Sequence, residues 1–257
     1  MSQNLIDTHC HLYLEEFDED RSFMIDRAKN EGVTKMILPG IDSSVIEAML
    51  KMEADFPENC YAMMGLHPCY VKENYEEELK LVGEWLHKRP FAAVGEIGLD
   101  YYWDKTFMQE QQEAFRRQVQ WSIDLQLPVV IHSRKATSDC ISILKTFPKH
   151  SVRGIFHCFS ESMELAKEIT ALGLYLGIGG VITYKNAGLA EVVKELPLEQ
   201  LVLETDAPYL TPVPFRGKRN ESSYLKYVVE KIAQVKNCSE ATVTEITTAN
   251  AKKIFGI

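Results

Sequence analysis

The segment AAVGEIGLDY, residues 92–101, is an apolar run that carries the carboxylate of Glu96. Apolar runs of this length, without strict alternation of polar residues, are typical of strands buried on both faces of a parallel sheet. Seven further segments of the chain have the same character. The eight predicted strands cover residues 4–12, 35–41, 60–68, 92–101, 128–134, 154–160, 174–180 and 201–208.

The segments between these runs carry apolar residues at helical spacing. Phe115, Val119 and Ile123 form one such stripe, and Val228 and Ile232 belong to another. Successive strands begin roughly 20 to 36 residues apart, the length of a parallel strand and its crossover helix. Eight such units with right-handed crossovers close a barrel, usually of about 250 residues. The 257-residue chain is therefore predicted to be α/β and to form a single (β/α)8 TIM barrel domain, residues 1–257.

Composition and charge exclude several classes of protein. The net charge of −9 argues against a broad basic surface for duplex nucleic acid, although divalent cations would supply positive charge of their own. No apolar run approaches the roughly 18 residues that span a bilayer, and the N-terminus lacks the features of a signal peptide. Six cysteines without a C-x-x-C pair indicate reduced thiols. We predict a cytoplasmic protein with no membrane association and no obligate protein partner.

Imidazoles and carboxylates concentrate near the ends of the predicted strands. His9 and His11 are two residues apart, and on a strand this spacing places both side chains on one face. Cys10, between these two histidines, and Cys158, next to His157, are predicted to face the helices instead. The other strand-end residues with metal-binding side chains are Glu96, His132, His157 and Asp206. Because the carboxyl ends of barrel strands meet at one rim, we expect these six groups to converge there.

Four imidazoles and two carboxylates exceed the ligand set of one four-coordinate zinc ion and suit two ions that share a ligand. Glu96 is the natural bridge, because a carboxylate offers two oxygens. Asp7 is a candidate partner for a ligand imidazole N–H. The donor types leave the metal open between Mg²⁺, Mn²⁺ and Zn²⁺. The predicted ligands are His9, His11 and Asp206 for one ion, His132 and His157 for the other, and Glu96 for both.

At this point the sequence resembles the TatD-type metal-dependent deoxyribonucleases of the amidohydrolase-like barrels. Ordered motifs across nearly the whole chain carry the resemblance: DTHCHL at 7–12, GLHP at 65–68, GEIGLDYY at 95–102, LPVVIHSR at 127–134, HCFS at 157–160, YLGIGGVITYKNA at 175–187, LVLETDAPYLTP at 201–212 and RGKRNE at 216–221. The resemblance implies the same six ligands and a 3′→5′ exonuclease activity on DNA. Glu161 and Ser222 depart from the usual Gly and Pro, and neither is a predicted ligand.

The predicted reaction is hydrolysis of a phosphodiester by water activated between two divalent ions. Asp206 is the predicted general base or proton shuttle, because it is a carboxylate beside the nucleophilic water. Glu96 takes part as the shared ligand. Glu204, two residues before Asp206, is either an orienting group for Asp206 or a ligand histidine, or a buried, hydrogen-bonded carboxylate without catalytic duty.

Five residues in predicted loops on the same rim are candidates for holding the substrate phosphates. These are His67, Arg134, Lys185, Arg216 and Arg219. Each cation alone is more often a solvated surface charge, and His67 is almost as readily a loop anchor before Pro68.

A cluster of three aromatic residues follows the fourth predicted strand. Tyr102, Trp103 and Phe107 are candidates for stacking on unpaired bases, although burial beneath the loop is the interpretation we favour. Cations and aromatic rings around a concave rim would suit single-stranded DNA or frayed 3′ ends better than a long duplex.

Two other functions compete with the nuclease. A small-molecule or aminoacyl-ester metallohydrolase, such as a lactonase, amidase or deacylase, resembles this chain in H-x-H, two later histidines and a final Asp. Many of these enzymes use a carboxylated lysine at strand four, where this chain has Glu96. A non-catalytic metal-binding scaffold is disfavoured, because structural sites are generally closed by fewer ligands.

Overall fold

The computed structural model describes residues 4–257, within which eight strands alternate with nine α-helices. The strands are Leu5–Asp7 (β1), Val33–Leu38 (β2), Cys60–Ala62 (β3), Val94–Asp100 (β4), Val129–Arg134 (β5), Gly154–Phe156 (β6), Tyr175–Ile178 (β7) and Leu201–Leu203 (β8). The helices are Arg21–Asn30 (α1), Ile46–Asp55 (α2), Tyr75–Lys88 (α3), Met108–Asp124 (α4), Thr137–Leu144 (α5), Met163–Ala171 (α6), Leu189–Glu195 (α7), Leu225–Lys236 (α8) and Glu240–Phe255 (α9).

All eight predicted strands are present, but most are shorter than predicted. β1 ends at Asp7 and β8 at Leu203, several residues before the predicted ends at 12 and 208. Beyond these points the backbone bonds to loops instead of a neighbouring ladder; for example, the His11 N–H donates to the Ala207 carbonyl at 2.7 Å. Several predicted site residues therefore lie in loops just past the strands.

The strands pair in parallel and in sequence order, as a β/α barrel requires. β1 to β3 form one ladder and β4 to β8 another. At one seam the Gly95 N–H donates to the Met64 carbonyl at 3.0 Å, and at the other the Thr8 N–H donates to the Leu203 carbonyl, also at 3.0 Å. These bonds join the two ladders in the order of a TIM barrel, which confirms the predicted fold class.

The apolar core has two layers. Inside the barrel, most strands contribute one buried side chain to a cluster that α9 covers with Ile254 and Phe255. A larger cluster lies between the outer faces of the strands and the helices, where Phe115 and Val119 of α4 and Val228 and Ile232 of α8 are buried as predicted. Burial of each such side chain stabilises the fold by about 1.5–3 kcal/mol. The inner apolar cluster fills the amino-terminal end of the barrel, and polar groups occupy the opposite end.

Two findings bear on the predicted location. Within the described residues, no helix is both long and apolar enough to cross a bilayer. All six cysteines are free thiols. The cytoplasmic location stays a prediction.

Candidate metal centre

The six predicted ligands converge at the carboxyl end of the barrel. Glu96 lies in β4 and His132 in β5, so rigid strands position both side chains. The other four follow the ends of β1, β6 and β8 within a few residues. Together with His67, their ring nitrogens and carboxylate oxygens form groups of three in which all atoms lie within 4.8 Å of one another.

One group consists of His9, His11 and Asp206. Strand β1 ends at Asp7, before the two histidines that the predicted strand 4–12 included, yet their Nε2 atoms lie only 3.3 Å apart. The Asp206 Oδ1 atom lies 3.7 Å from the His9 Nε2 and 3.5 Å from the His11 Nε2. Asp206 has a left-handed φ of 56°, and its N–H donates to the His9 carbonyl at 2.9 Å, which joins the loop after β8 to the loop after β1. The convergence thus comes from loop–loop hydrogen bonds, and strand alternation is the wrong reason for it.

Glu96 is buried, and its two oxygens face different sides of the cluster. Oε2 lies 3.2 Å from the His9 Nε2 and 3.7 Å from the His11 Nε2. Oε1 lies 2.7 Å from the His157 Nε2, 2.9 Å from the His132 Nδ1 and 3.3 Å from the His67 Nε2. This division matches the two predicted ligand groups and adds His67 to the second.

Tyr13 fixes the orientation and the tautomer of His11. The Tyr13 hydroxyl donates to the Pro39 carbonyl at 2.6 Å, so its one proton is used there. The His11 Nδ1, 3.0 Å from the same hydroxyl oxygen, must therefore be the donor in that contact. The Nε2 lone pair of a neutral His11 then faces His9 and Asp206, which is the tautomer that a metal ligand needs.

Asp100 orients His132 in a similar way. Its Oδ2 lies 2.9 Å from the His132 Nε2, so that the Nδ1 is directed at Glu96 and His157. Neither Asp100 nor Tyr13 is among the site residues predicted from the sequence. The available signal for Asp100 is its spacing of four residues from Glu96 in one strand, which places both side chains on the same face.

Two effects set the pKa values of the buried histidines and of Glu96: burial, which disfavours the charged form, and the charges of neighbouring groups. Burial lowers the pKa of His9 to about 4, and the nearby His157 adds to this effect. Burial also opposes ionisation of Glu96, but the imidazoles of His157, His67 and His9 outweigh it and hold that pKa well below its usual range. Glu96 in turn overcomes the burial of His157 and raises its pKa to about 10. The surrounding imidazoles therefore balance the negative charge of ionised Glu96.

Glu204 and Asp7 lie beneath this layer. Glu204 accepts a hydrogen bond from the Cys158 N–H, its Oε1 lies 3.8 Å from the His157 Nδ1, and burial raises its pKa to about 8. It therefore approaches a ligand histidine, one of the predicted alternatives. Asp7 accepts from the Thr205 N–H at 2.9 Å and from the Ser222 hydroxyl at 2.6 Å. The prediction that Asp7 holds an imidazole is wrong, since Asp7 joins β1 to the segment that follows β8.

The centre opens into a cavity of about 800 Å³ that His11, Glu96, His132, His157 and Asp206 line from below. Cys158 also borders this cavity, contrary to the prediction that it faces the helices. The reason is local: Cys158 lies past the end of β6 with a left-handed φ of 49°, so strand alternation does not apply to it.

Two of the predicted substrate-binding residues, His67 and Arg134, lie at the cavity. His67 is part of the centre, and Arg134 borders the cavity. Arg216 stacks on Tyr184 at 4.1 Å from the ring centroid, and Lys185 is exposed in the same loop region.

Arg219 lies in a different environment. It donates to the two Asp20 oxygens at 2.8 and 2.9 Å and to the Glu16 carbonyl at 2.6 Å. Its guanidinium is thus engaged within the protein, and the prediction that Arg219 holds a substrate phosphate is wrong.

The aromatic residues after β4 are not buried beneath the loop. The exposed fractions of Tyr102 and Trp103 are 49% and 68%, so the interpretation we favoured is wrong for these two, whereas Phe107 packs against the core. The cause is again Asp100, whose Oδ1 accepts from the Tyr102 N–H at 2.9 Å and the Trp103 N–H at 3.1 Å. This turn directs both rings outward.

A cluster of imidazoles and carboxylates at the carboxyl rim of a β/α barrel defines the metal-dependent hydrolases of this fold. The model of the TatD related DNase family matches residues 6–256, and the chain belongs to that family. It is 44% identical to the metal-dependent hydrolase YabD of Bacillus subtilis (strain 168), over 98% of this chain and 99% of the relative. These matches identify a metal-dependent hydrolase that acts on ester bonds.

Two further similarities extend this result. The solved structure of YjjV, a TatD homologue from Escherichia coli K12, superposes with a TM-score of 0.93 at 30% identity, and each chain is covered in full. The 3′-5′ ssDNA/RNA exonuclease TatD of Erwinia tasmaniensis is 29% identical over 98% of this chain and all of that protein. The resemblance stated from the motifs is thereby confirmed.

Proposed function

We propose that the protein is a two-metal phosphodiesterase, specifically a deoxyribonuclease that removes nucleotides 3′→5′ from single-stranded or frayed DNA. The observation that carries the two-ion part is the division of the Glu96 oxygens between two sets of imidazoles. The Erwinia relative, a 3′-5′ ssDNA/RNA exonuclease, supports the substrate class and the polarity.

The donor atoms have the spacing that bound ions require. Nitrogen ligands about 2.0–2.1 Å from a tetrahedral zinc ion lie about 3.3 Å from each other. The His9 and His11 Nε2 atoms are 3.3 Å apart, and so are the His132 Nδ1 and the His157 Nε2. The proposed ligands are His9, His11 and Asp206 for one ion, His132 and His157 for the other, with Glu96 shared and His67 beside the second set.

Bound divalent ions would lower the pKa of water and neutralise charge on the phosphoryl oxygens. Asp206 borders the cavity, and the nearby imidazoles overcome its burial and lower its pKa. It is therefore ionised and placed to accept a proton from the attacking water. Tyr13 and Asp100 hold the imidazoles of His11 and His132 in place, and Glu204 lies 3.8 Å from the His157 Nδ1. Arg134, Arg216 and Lys185 are the cations proposed to contact flanking phosphates.

The test is hydrolysis of a 5′-labelled single-stranded oligonucleotide after chelation and after addition of Mg²⁺, Mn²⁺ or Zn²⁺. The wild-type protein should shorten the strand stepwise from its 3′ end, and Asp206→Asn should not. Asp20→Asn is the matched control, because that carboxylate pairs with arginines outside the cavity. An intact strand under every metal contradicts the proposal and directs the search to lactones, amides and aminoacyl esters.

A further inference from the structure

Exposed aromatic side chains concentrate at the mouth of the cavity. Seven large apolar side chains are exposed in the described part of the chain, and four of them, Tyr70, Trp103, Tyr209 and Leu210, line this cavity. Tyr102 packs against one of the four. Exposed apolar groups gathered at one place mark a surface that contacts a ligand or partner.

Tyr102, Trp103 and Arg134 form a compact unit, the Trp103 platform. The two rings meet edge to face, with centroids 4.9 Å apart and an interplanar angle of 85°. The Arg134 guanidinium lies 3.8 Å from the Tyr102 centroid and 5.0 Å from the Trp103 centroid. Cation–π contact and edge-to-face packing hold the unit together while Trp103 stays 68% exposed.

One carboxylate fixes the Trp103 platform relative to the metal centre. The Asp100 Oδ1 accepts from the backbone N–H groups of Tyr102 and Trp103, and its Oδ2 is 2.9 Å from the His132 Nε2. In addition, Arg134 is only two residues after His132 in β5. The aromatic rings and the proposed ligand are therefore parts of one rigid arrangement.

The platform offers a flat π surface beside a cation. Arg134 is exposed, and no carboxylate within residues 4–257 forms an ion pair with it, so its charge is available to a ligand. A nucleotide combines an aromatic base with an adjacent phosphate, which complements both features. Bases in a duplex are already stacked on their neighbours and expose only their edges in the grooves.

We propose that the Trp103 platform stacks the unpaired base next to the scissile phosphodiester and thereby selects single strands. This inference rests on the proposed nuclease function and names the part of the substrate that is recognised. Trp103 and Tyr102 supply the stacking surface, and Arg134 supplies charge to the phosphate of the same nucleotide.

The experiment compares two oligonucleotides of equal length, one intact and one with abasic sites at its two 3′-terminal positions. Wild type, Trp103→Ala and Trp103→Phe are measured on both, with kcat and KM resolved. Phe23→Ala is the matched control, because Phe23 is equally exposed at 70% but does not line the cavity. Thermal unfolding confirms that each variant is folded.

On the intact strand, Trp103→Ala should lower kcat/KM by about 5- to 100-fold, mainly through KM. Trp103→Phe should recover most of this loss, and Phe23→Ala should match wild type. On the abasic strand, wild type and Trp103→Ala should agree within about twofold, because no terminal base is present to stack.

If Trp103→Ala lowers kcat/KM equally on both oligonucleotides, or on neither, the Trp103 platform does not stack a terminal base. The proposed nuclease function is unaffected by that result. Wild-type protein that cleaves neither strand under any metal overturns the proposed function, and the platform with it.

Discussion

Two regions of the molecule bring buried and half-buried carboxylates together, and they balance the charge in opposite ways. In the Asp20 network, formed by Asp20, Arg27, Arg219 and Glu221, arginines pair with both carboxylates; Arg27 donates to Glu221 at 2.6 and 2.8 Å. In the metal centre, the ion-pair partners of Glu96, Glu204 and Asp206 within residues 4–257 are all imidazoles.

The difference assigns a different role to each region. The Asp20 network contains its own permanent cations, so it is complete as a structural element. In the metal centre no arginine or lysine of the described residues pairs with Glu96, Glu204 or Asp206, and bound divalent ions would supply the permanent positive charge there. Changes to the first region should therefore alter stability, and changes to the second should alter activity.

The largest expected effect is the loss of turnover in Asp206→Asn. Replacing a positioned general base costs about 10²- to 10⁴-fold in rate, so kcat on a single-stranded oligonucleotide should fall by that factor at saturating metal. Thermal unfolding of the metal-free proteins should show little difference between variant and wild type. A variant that keeps more than a tenth of wild-type kcat would remove Asp206 from the proton transfer.

The second prediction concerns metal removal. A ligand that binds only the folded state at about 1,000 times its Kd adds about 4 kcal/mol to the free energy of unfolding. Chelation should therefore abolish activity and lower the melting temperature, and added Mn²⁺ or Zn²⁺ should restore both. The rise in melting temperature upon metal addition should be smaller in Glu96→Gln than in wild type. An unchanged melting temperature upon chelation and reloading would show that the centre holds no ion.

The Asp20 network should show the opposite pattern. Glu221→Gln removes a charged acceptor of Arg27 and should lower the free energy of unfolding by about 1–3 kcal/mol. Its kcat per folded molecule should equal that of wild type, as urea titration and the nuclease assay together would show. A large loss of kcat in this variant would mean that the two regions are coupled.

Much of the site is visible in sequence because strand ends meet at one rim. Glu96, His132 and His157 are separated widely along the chain, but each lies within or directly after an apolar run, and the parallel topology brings these segments side by side. The fold class follows from the same pattern, since eight such runs alternate with helical stripes.

The remaining features depend on hydrogen bonds between distant segments, which periodicity does not encode. Arg219 pairs with a carboxylate 199 residues away, so its removal from the rim could not be foreseen. Trp103 is exposed because Asp100 caps the turn beneath it, and Cys158 borders the cavity because its backbone leaves the strand geometry. Such local turns override the alternation on which the predictions relied.

The smallest expected effect is the pH dependence of Asp20→Asn. The hydrogen bond from Arg219 is the main cause that lowers the pKa of Asp20 from 3.8 to about 2. A lowered pKa in the folded state stabilises the protein above about pH 4, and this contribution is lost as the pH falls toward 2. The melting temperature of wild type should exceed that of the variant by a small amount at pH 7, and by less at pH 3. A difference in melting temperature between wild type and variant that grows on acidification would contradict the prediction.

The most direct test of the account is the number of divalent ions that each chain binds. Wild-type protein is dialysed against Mn²⁺ or Zn²⁺ and analysed for metal content, with Glu221→Gln as the control from the Asp20 network. Two ions per chain are expected for wild type and for the control, and fewer for Glu96→Gln. One ion per chain, or none, in folded wild-type protein would contradict the proposal that Glu96 is shared between two ions.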